Sequence, residues 1–466
     1  DVFTANGIQV MYFREMRPTP MLSFAVRHYG CKSGVMITAS HNPKEYNGYK
    51  AYWEDGAQVV APHDTNIIKE VQKITSFEQV NWNKQDELIH YIEEDFDAIY
   101  LEKVKELSLS KEAIQAQKSM PIVFSPIHGA SGKMVPAALK AFGFENIQVV
   151  KEQAEPDGNF PTVIYPNPEE AEALTLAVAL GQKVGAALVL ACDPDGDRYA
   201  AVVPNELGEY ELLNGNQTGT LLVYYLLSRR KELGLAKSTD FMVNTIVTTE
   251  LINKIAEGFG VPCYNVLTGF KNIASIILQK EGKETFIAGG EESFGFLVGD
   301  FVRDKDGVSA CALVAEAVAY YKTQGKTVFA VLAEVYHRFG FYKEALISVT
   351  KKGKDGAEQI QQLMQQYRTN PPQVMNGSAV EMIYDVKNAR ISYPKTQKVE
   401  VLNLDKSNVM QFFLADGSKI SARPSGTEPK IKYYFSVNTN ISNTADYRAT
   451  EKVLLDKLEA LKKYFS

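Results

Sequence analysis

The sequence contains no stretch of about 18 consecutive apolar residues, the least a spanning helix needs, so no transmembrane segment is expected. It has no charged-then-apolar leader at its start either. Cysteine is scarce: Cys31, Cys192, Cys263 and Cys311 are widely spaced and form no Cys-x-x-Cys pair. They fit free thiols in a reducing compartment, which points to the cytoplasm. Neither Gly-x-Gly-x-x-Gly nor a Walker A segment is present, so nucleotide binding is not indicated. The absence of a Gly-x-Ser-x-Gly elbow argues against an α/β-hydrolase. The formal net charge is -6, with acidic and basic residues interspersed, which offers no nucleic-acid surface. A small anionic substrate stays open, because pocket charge is local and net charge is not.

What is present is a chain of 466 residues, 45% of them hydrophobic, too long for one core and suited to three or four domains. Residues 1–118 read as a first domain. Its short strands Ile8–Tyr12 and Val35–Thr38 flank a helix, a hairpin turns at Asp55-Gly56, and Lys84–Leu107 shows helical spacing that predicts a packing helix or helix pair. Residues 119–206 form a second unit, with the buried-type strand Ala186–Leu190. Residues 207–345 form a third, with strands at Phe241–Thr245, Cys263–Val266 and Phe286–Ala288. This alternation predicts layered α/β domains, although no strict sequence repeat relates them. Residues 346–466 read as a smaller α+β domain, closed by an amphipathic helix over Ala445–Tyr464 with Val453, Leu454, Leu458 and Leu461 on one side.

Four loops carry the chemistry. Asp193-Pro194-Asp195-Gly196-Asp197-Arg198 follows the buried-type strand. Three carboxylates this close raise each other's pKa values unless a cation holds them, and hard oxygen ligands suit Mg²⁺ or Mn²⁺. The spacing is not that of an EF-hand, and the plain alternative is a solvated acidic turn. Arg198 is placed to reach a phosphoryl oxygen. Ser40, in Thr38-Ala39-Ser40-His41-Asn42-Pro43 after an apolar strand, is the candidate phosphoryl carrier; alone it reads equally well as a turn serine. His41 can hydrogen-bond or move a proton. Lys50 can act as general acid or base toward a sugar hydroxyl, or be a surface lysine. In Gly290-Glu291-Glu292-Ser293, a carboxylate and a hydroxyl can grip sugar hydroxyls; Lys271 adds a cation nearby, and both signals are weak alone. Arg423-Pro424-Ser425-Gly426-Thr427, with Lys432, offers a phosphate nest or, more plainly, an exposed polar hairpin. His128, in a loop after a strand, either contacts the phosphoryl group or fixes a domain interface.

These four motifs, in this order, resemble the α-D-phosphohexomutase superfamily, most nearly its bacterial phosphoglucomutase and phosphopentomutase-like branch, across essentially the whole chain. The resemblance implies three related α/β domains and a C-terminal α+β domain around a central cleft. It implies that Ser40 carries the phosphoryl group, that Asp193, Asp195, Asp197 and the phosphoserine hold one Mg²⁺, and that Glu291 and Ser293 read sugar hydroxyls. Arg423, Ser425 and Thr427 would hold the non-reacting phosphate. The implied reaction interconverts glucose 1-phosphate and glucose 6-phosphate through glucose 1,6-bisphosphate; the alternative is the same chemistry on ribose or deoxyribose 1- and 5-phosphate. Small sugar phosphates, with no nucleic acid or membrane, are the expected partners. One departure stands out. The family's Gly-Thr-x-Gly-x-Arg segment and the first strands of domain 1 are not found before Ser40, so part of domain 1 is expected to lie upstream of Asp1.

Overall fold

The computed structural model describes residues 1–351, 355–425 and 429–465. The chain divides into two compact units, Asp1–Phe241 with Phe270–Thr327, and Met242–Gly269 with Val328–Ser466. No helix among the described residues is long and apolar enough to cross a membrane.

The first unit opens with α1 (Val2–Ala5), β1 (Val10–Phe13), α2 (Thr19–His28), β2 (Ser33–Ile37), β3 (Tyr49–Trp53) and α3 (His63–Val71), followed by β4 (Ile89–Ile92), α4 (Asp95–Lys105) and α5 (Lys111–Ala116). β2 pairs antiparallel with β3, Met36 opposite Lys50, and this pairing brings Lys50 back beside the serine loop. The helical expectation for Lys84–Leu107 holds for Asp95–Lys105 and, as a single 3-10 turn, for Asp86–Leu88. Ile89–Ile92 is a strand, parallel to β1, because its β-branched and aromatic residues find a strand partner.

A five-stranded sheet follows, in the order β6-β5-β7-β8-β9: β5 (Ile122–Ser125), β6 (Ile147–Val149), β7 (Leu188–Cys192), β8 (Tyr199–Pro204) and β9 (Tyr210–Leu213). α6 (Met134–Phe142) and α7 (Thr175–Val184) lie between its parallel strands, and α8 (Gly215–Glu232) comes after it. β5 and β7 are buried throughout, as continuous apolar runs covered on both faces should be. β7 and β8 pair antiparallel, Cys192 opposite Tyr199, so the aspartate loop is the connection of a hairpin at the end of a buried strand. The unit is completed by α10 (Phe270–Lys280), the hairpin β12 (Thr285–Glu291) and β13 (Gly295–Val298), and the almost wholly buried α11 (Gly307–Thr323).

In the second unit, β10 (Asp240–Thr245) pairs in parallel from Met242 onward with β11 (Cys263–Val266), with α9 (Glu250–Gly258) between them. α12 (Val328–Phe339) precedes the large antiparallel sheet. That sheet runs β14 (Phe341–Thr350), β21 (Lys430–Thr439), β20 (Lys419–Pro424), β19 (Met410–Leu414), β16 (Ser378–Asp385), β17 (Arg390–Tyr393) and β18 (Lys398–Val401), with β15 (Val374–Met375) against β16. α13 (Gly356–Thr369) follows β14 in the chain, and α14 (Tyr447–Phe465) closes it. Leu454, Leu458 and Leu461 of α14 are buried, but Val453 is 62% exposed, so the apolar stripe expected from the sequence is narrower by that residue.

Candidate active site

β7 buries Leu188 through Cys192 and delivers three carboxylates at its end; Asp193, Asp195 and Asp197 are 0%, 5% and 0% exposed. Each has one oxygen satisfied by protein donors. The Arg198 N–H donates to Asp193 Oδ1 at 3.0 Å. Asp195 Oδ2 accepts from Thr19 Oγ1 and Thr38 Oγ1, both at 3.2 Å, and from Lys50 Nζ at 2.7 Å. Asp197 Oδ2 lies 2.9 Å from Lys50 Nζ and 3.2 Å from Lys305 Nζ. The remaining oxygens, Asp193 Oδ2, Asp195 Oδ1 and Asp197 Oδ1, are buried without a hydrogen-bond partner. Buried, unpaired carboxylate oxygens are costly, and one oxygen from each aspartate lies within 4.8 Å of the others. An all-oxygen set of three carboxylates fits Mg²⁺ or Mn²⁺.

The electrostatics agree with a site waiting for positive charge. Burial, with the charges of Asp195 and Asp197, pushes the Asp193 carboxyl well above its ordinary value. Burial acts the same way on Asp197, but Lys305, Lys50 and Arg198 outweigh it and hold that carboxyl below its ordinary value. Lys50 is desolvated, yet Asp197 and Asp195 hold its ammonium well above the usual lysine range. Lys50 thus stands as a charged ammonium against Asp195 and Asp197.

The serine loop follows β2. Ser40 is half-buried with φ = 55°, a left-handed conformation that residues with a Cβ avoid. Its N–H donates to Thr38 Oγ1 at 2.8 Å, and its Oγ lies 3.2 Å from His41 Nδ1. Burial, helped by Arg198, lowers His41 to about 4, so its imidazole is neutral near neutral pH. Gly48 permits the return strand to pass: a Cβ there would meet the Thr38 carbonyl oxygen at 2.2 Å.

Two further loops brace this centre. Gly295 bridges Arg198, and the Tyr199 N–H donates to the Phe294 carbonyl at 3.1 Å, which sets the Glu291–Ser293 turn against the aspartate loop. Phe294 takes φ = 65° and drives its ring into the core around Ile127, Val189 and Val202. Glu291 is close enough to help keep Arg198 charged. Arg198 donates through Nη1 to Glu169 Oε1 at 2.7 Å, while its Nε is buried without a partner. His128, φ = 57°, faces Thr162 Oγ1 through Nε2 at 2.9 Å, and the following Ala130 N–H donates to the Pro194 carbonyl at 2.7 Å. Lys271 is exposed in the first turn of α10.

The structure therefore brings together, within the first unit, Ser40, His41, Lys50, the three aspartates, Arg198 and the Glu291–Ser293 turn. Arg423, Ser425 and Lys432 belong to the second unit. There Arg423 stands opposite Lys432 on β20 and β21, and the Ser425 N–H donates to the Lys430 carbonyl at 2.7 Å. Gly426 and Thr427 lie outside the described residues.

Sequence reasoning missed Thr19, Lys305, Glu169 and Asp304, whose carboxylate pairs with Lys305 and accepts from Tyr52 Oη and Gln58 Nε2. Lys305 sits in Arg303-Asp304-Lys305-Asp306-Gly307, a mixed-charge run that reads as a solvated turn and helix cap. Asp306 does cap α11, accepting from the Val308 and Ser309 N–H groups, but Lys305 is 8% exposed and pairs with Asp197.

Comparison with known proteins follows the same lines. Residues 1–78, 98–208 and 214–339 match alpha/beta/alpha domains I, II and III of the family described as phosphoglucomutase/phosphomannomutase. A phosphoglucomutase of Staphylococcus haemolyticus is 34% identical over 440 residues, covering 94% of this chain and 79% of that protein. One from Staphylococcus aureus strain N315 is 35% identical over 437 residues, with 94% and 78% covered. Among solved structures, one described as a phosphomannomutase of Thermus thermophilus superposes with a TM-score of 0.67 at 21% identity, covering 97% of this chain and 85% of that one. The open form of Paramecium parafusin superposes with a TM-score of 0.67 at 19% identity, covering 96% and 81%. At those identities the solved structures speak for the fold alone.

Proposed function

The chain belongs to the phosphoglucomutase/phosphomannomutase family of the α-D-phosphohexomutase superfamily, and from that membership we infer that it is a phosphoglucomutase. It interconverts α-D-glucose 1-phosphate and glucose 6-phosphate through a phosphoserine enzyme and glucose 1,6-bisphosphate. Phosphoglucomutases of Staphylococcus haemolyticus and Staphylococcus epidermidis match over 94% of its length, which favours the hexose over the pentose. The observation that carries the chemistry is the set of three unpaired aspartate oxygens beside Ser40.

We propose the following roles. Ser40 Oγ carries the phosphoryl group; a sugar hydroxyl attacks phosphorus, the P–Oγ bond breaks and the hydroxyl proton ends on Ser40 Oγ, and in the return step Oγ attacks the other phosphoryl group, whose bond to the sugar oxygen breaks as that oxygen takes the proton back. Asp193, Asp195, Asp197 and the phosphoserine would hold Mg²⁺, which would supply positive charge to the transferring group. His41, neutral and 3.2 Å from Ser40 Oγ, orients that oxygen and holds its proton when the serine is free. Lys50 balances the carboxylates, and the unpaired Nε of Arg198 is a donor for a phosphoryl oxygen. Glu291 and Ser293 read the sugar hydroxyls, with Lys271 at the rim. Arg423, Ser425, Gly426, Thr427 and Lys432 take the phosphate that is not reacting. His128, its ring turned to Thr162, supports the aspartate loop. The free state of all four cysteines supports a cytoplasmic location.

Initial rates with Mg²⁺ on glucose 1-phosphate and ribose 1-phosphate test the reading in the full-length protein. A preference for glucose is expected. A preference for the pentose, or inorganic phosphate as the main product, would overturn it.

A further inference from the structure

Thr38 directly follows β2, and its one hydroxyl meets both halves of the centre. Its Oγ1 is 2.8 Å from the Ser40 nitrogen and 3.2 Å from Asp195 Oδ2. A hydroxyl has one proton and two lone pairs, and an ionised carboxylate only accepts. The directions are therefore fixed: Thr38 accepts the Ser40 N–H and donates to Asp195. The first bond pins Ser40 in its left-handed conformation at φ = 55°. The second joins those from Thr19 and Lys50 on the same oxygen, which fills Oδ2 and leaves Oδ1 as the unpaired one. Thr19 reaches Asp195 as well, but among the described residues only Thr38 is bonded to both Ser40 and Asp195.

We propose that Thr38 is a positioning residue that couples the serine loop to the metal loop, setting the backbone pose of Ser40 and the free oxygen of Asp195 through one hydroxyl. Its kinetic consequence rests on the phosphoglucomutase reading; its consequence for metal affinity does not.

The test compares Thr38→Val, which keeps the shape and removes the hydroxyl, with Thr38→Ser, which restores it, in the full-length protein. Mn²⁺ affinity is read from the free-ion paramagnetic resonance signal, and kcat and KM for glucose 1-phosphate are measured in parallel. Thr38→Val is expected to weaken Mn²⁺ binding about tenfold, the low end for a residue that orients a ligand, and to lower kcat by about tenfold or more with KM little changed. At saturating Mn²⁺ its kcat stays low, because the Ser40 bond is still missing. Thr38→Ser returns both quantities to within about threefold of the parent, keeping the hydroxyl that orients the ligand. Should the valine variant fail to fold, Thr38→Ala removes the same hydroxyl and carries the same expectations. Unchanged Mn²⁺ affinity in the hydroxyl-free variant would overturn the proposal. So would full recovery of its kcat at saturating Mn²⁺, or a serine variant as impaired as the valine one. A parent protein without mutase activity would instead refute the functional reading, while the Mn²⁺ comparison would still decide the role of Thr38.

Discussion

Gly129 and Pro194 pack backbone against backbone: a Cβ added to Gly129 would lie 2.4 Å from Pro194 Cα and 2.5 Å from its carbonyl oxygen. The His128 loop is thus the floor on which the aspartate loop rests. Gly129→Ala must displace one of the two. The expected cost is about 1–3 kcal/mol of stability, as for other overpacked sites, with weaker activation by Mg²⁺. Thermal melts and Mg²⁺ titration of the rate check both.

Ser40→Ala removes the phosphoryl carrier while leaving the aspartates in place. Turnover should fall by about a thousandfold or more, since no other group in the site replaces the covalent step. Mn²⁺ binding should persist, weakened by the loss of one ligand. A coupled rate assay and the Mn²⁺ resonance signal separate the two effects.

Removing the metal leaves three buried carboxylates facing one another. Chelation should abolish turnover reversibly, and Mg²⁺ at a hundredfold its Kd should stabilise the fold by about 3 kcal/mol through mass action. Asp195→Asn keeps the shape but weakens the anionic set, so its melting temperature should respond far less to Mg²⁺. Melts with and without Mg²⁺, for both proteins, are the measurement.

Glu344, opposite Ser436 on the large sheet, has a buried Oε1 without a partner, and burial pushes its carboxyl up to about 7 despite Thr249, Lys343 and Lys419. Lys343 is itself engaged with Glu451, and Lys419 with Glu250. The folded value exceeds the unfolded one, so the native state keeps a proton that the unfolded chain releases. Stability from this group is present below the ordinary value of 4.5 and is lost as pH rises toward 7. Glu344→Gln should therefore stabilise the protein at about pH 8, by on the order of 2–3 kcal/mol at most, and have little effect at about pH 4. Denaturant unfolding at the two pH values checks the sign.

The serine, aspartate and glutamate loops were legible in the sequence because each is contiguous and follows an apolar strand. Asp193, Asp195 and Asp197 point to a cation, rather than a solvated acidic turn, because they alternate directly after a buried-type strand. Lys305 and Thr19 were not legible, since only the tertiary fold carries them to Asp197 and Asp195. Ile89–Ile92 was misread as helix because Leu88, Ile92 and Phe96 fall at helical spacing; pairing with Val10–Phe13 overrides that pattern. Val453 was placed in the apolar stripe of the last helix, yet the stripe runs through Leu454, Leu458 and Leu461, and the residue preceding Leu454 is turned about 100° away from it.

Every turnover passes through Ser40 as the proposed phosphoryl carrier. The most direct test is intact-mass and peptide mass spectrometry of the full-length protein, before and after glucose 1,6-bisphosphate with Mg²⁺. A gain of one phosphoryl group on Ser40, discharged on adding glucose 6-phosphate, is expected. No phosphoryl group on Ser40 under either condition, or one placed on another residue, would contradict it.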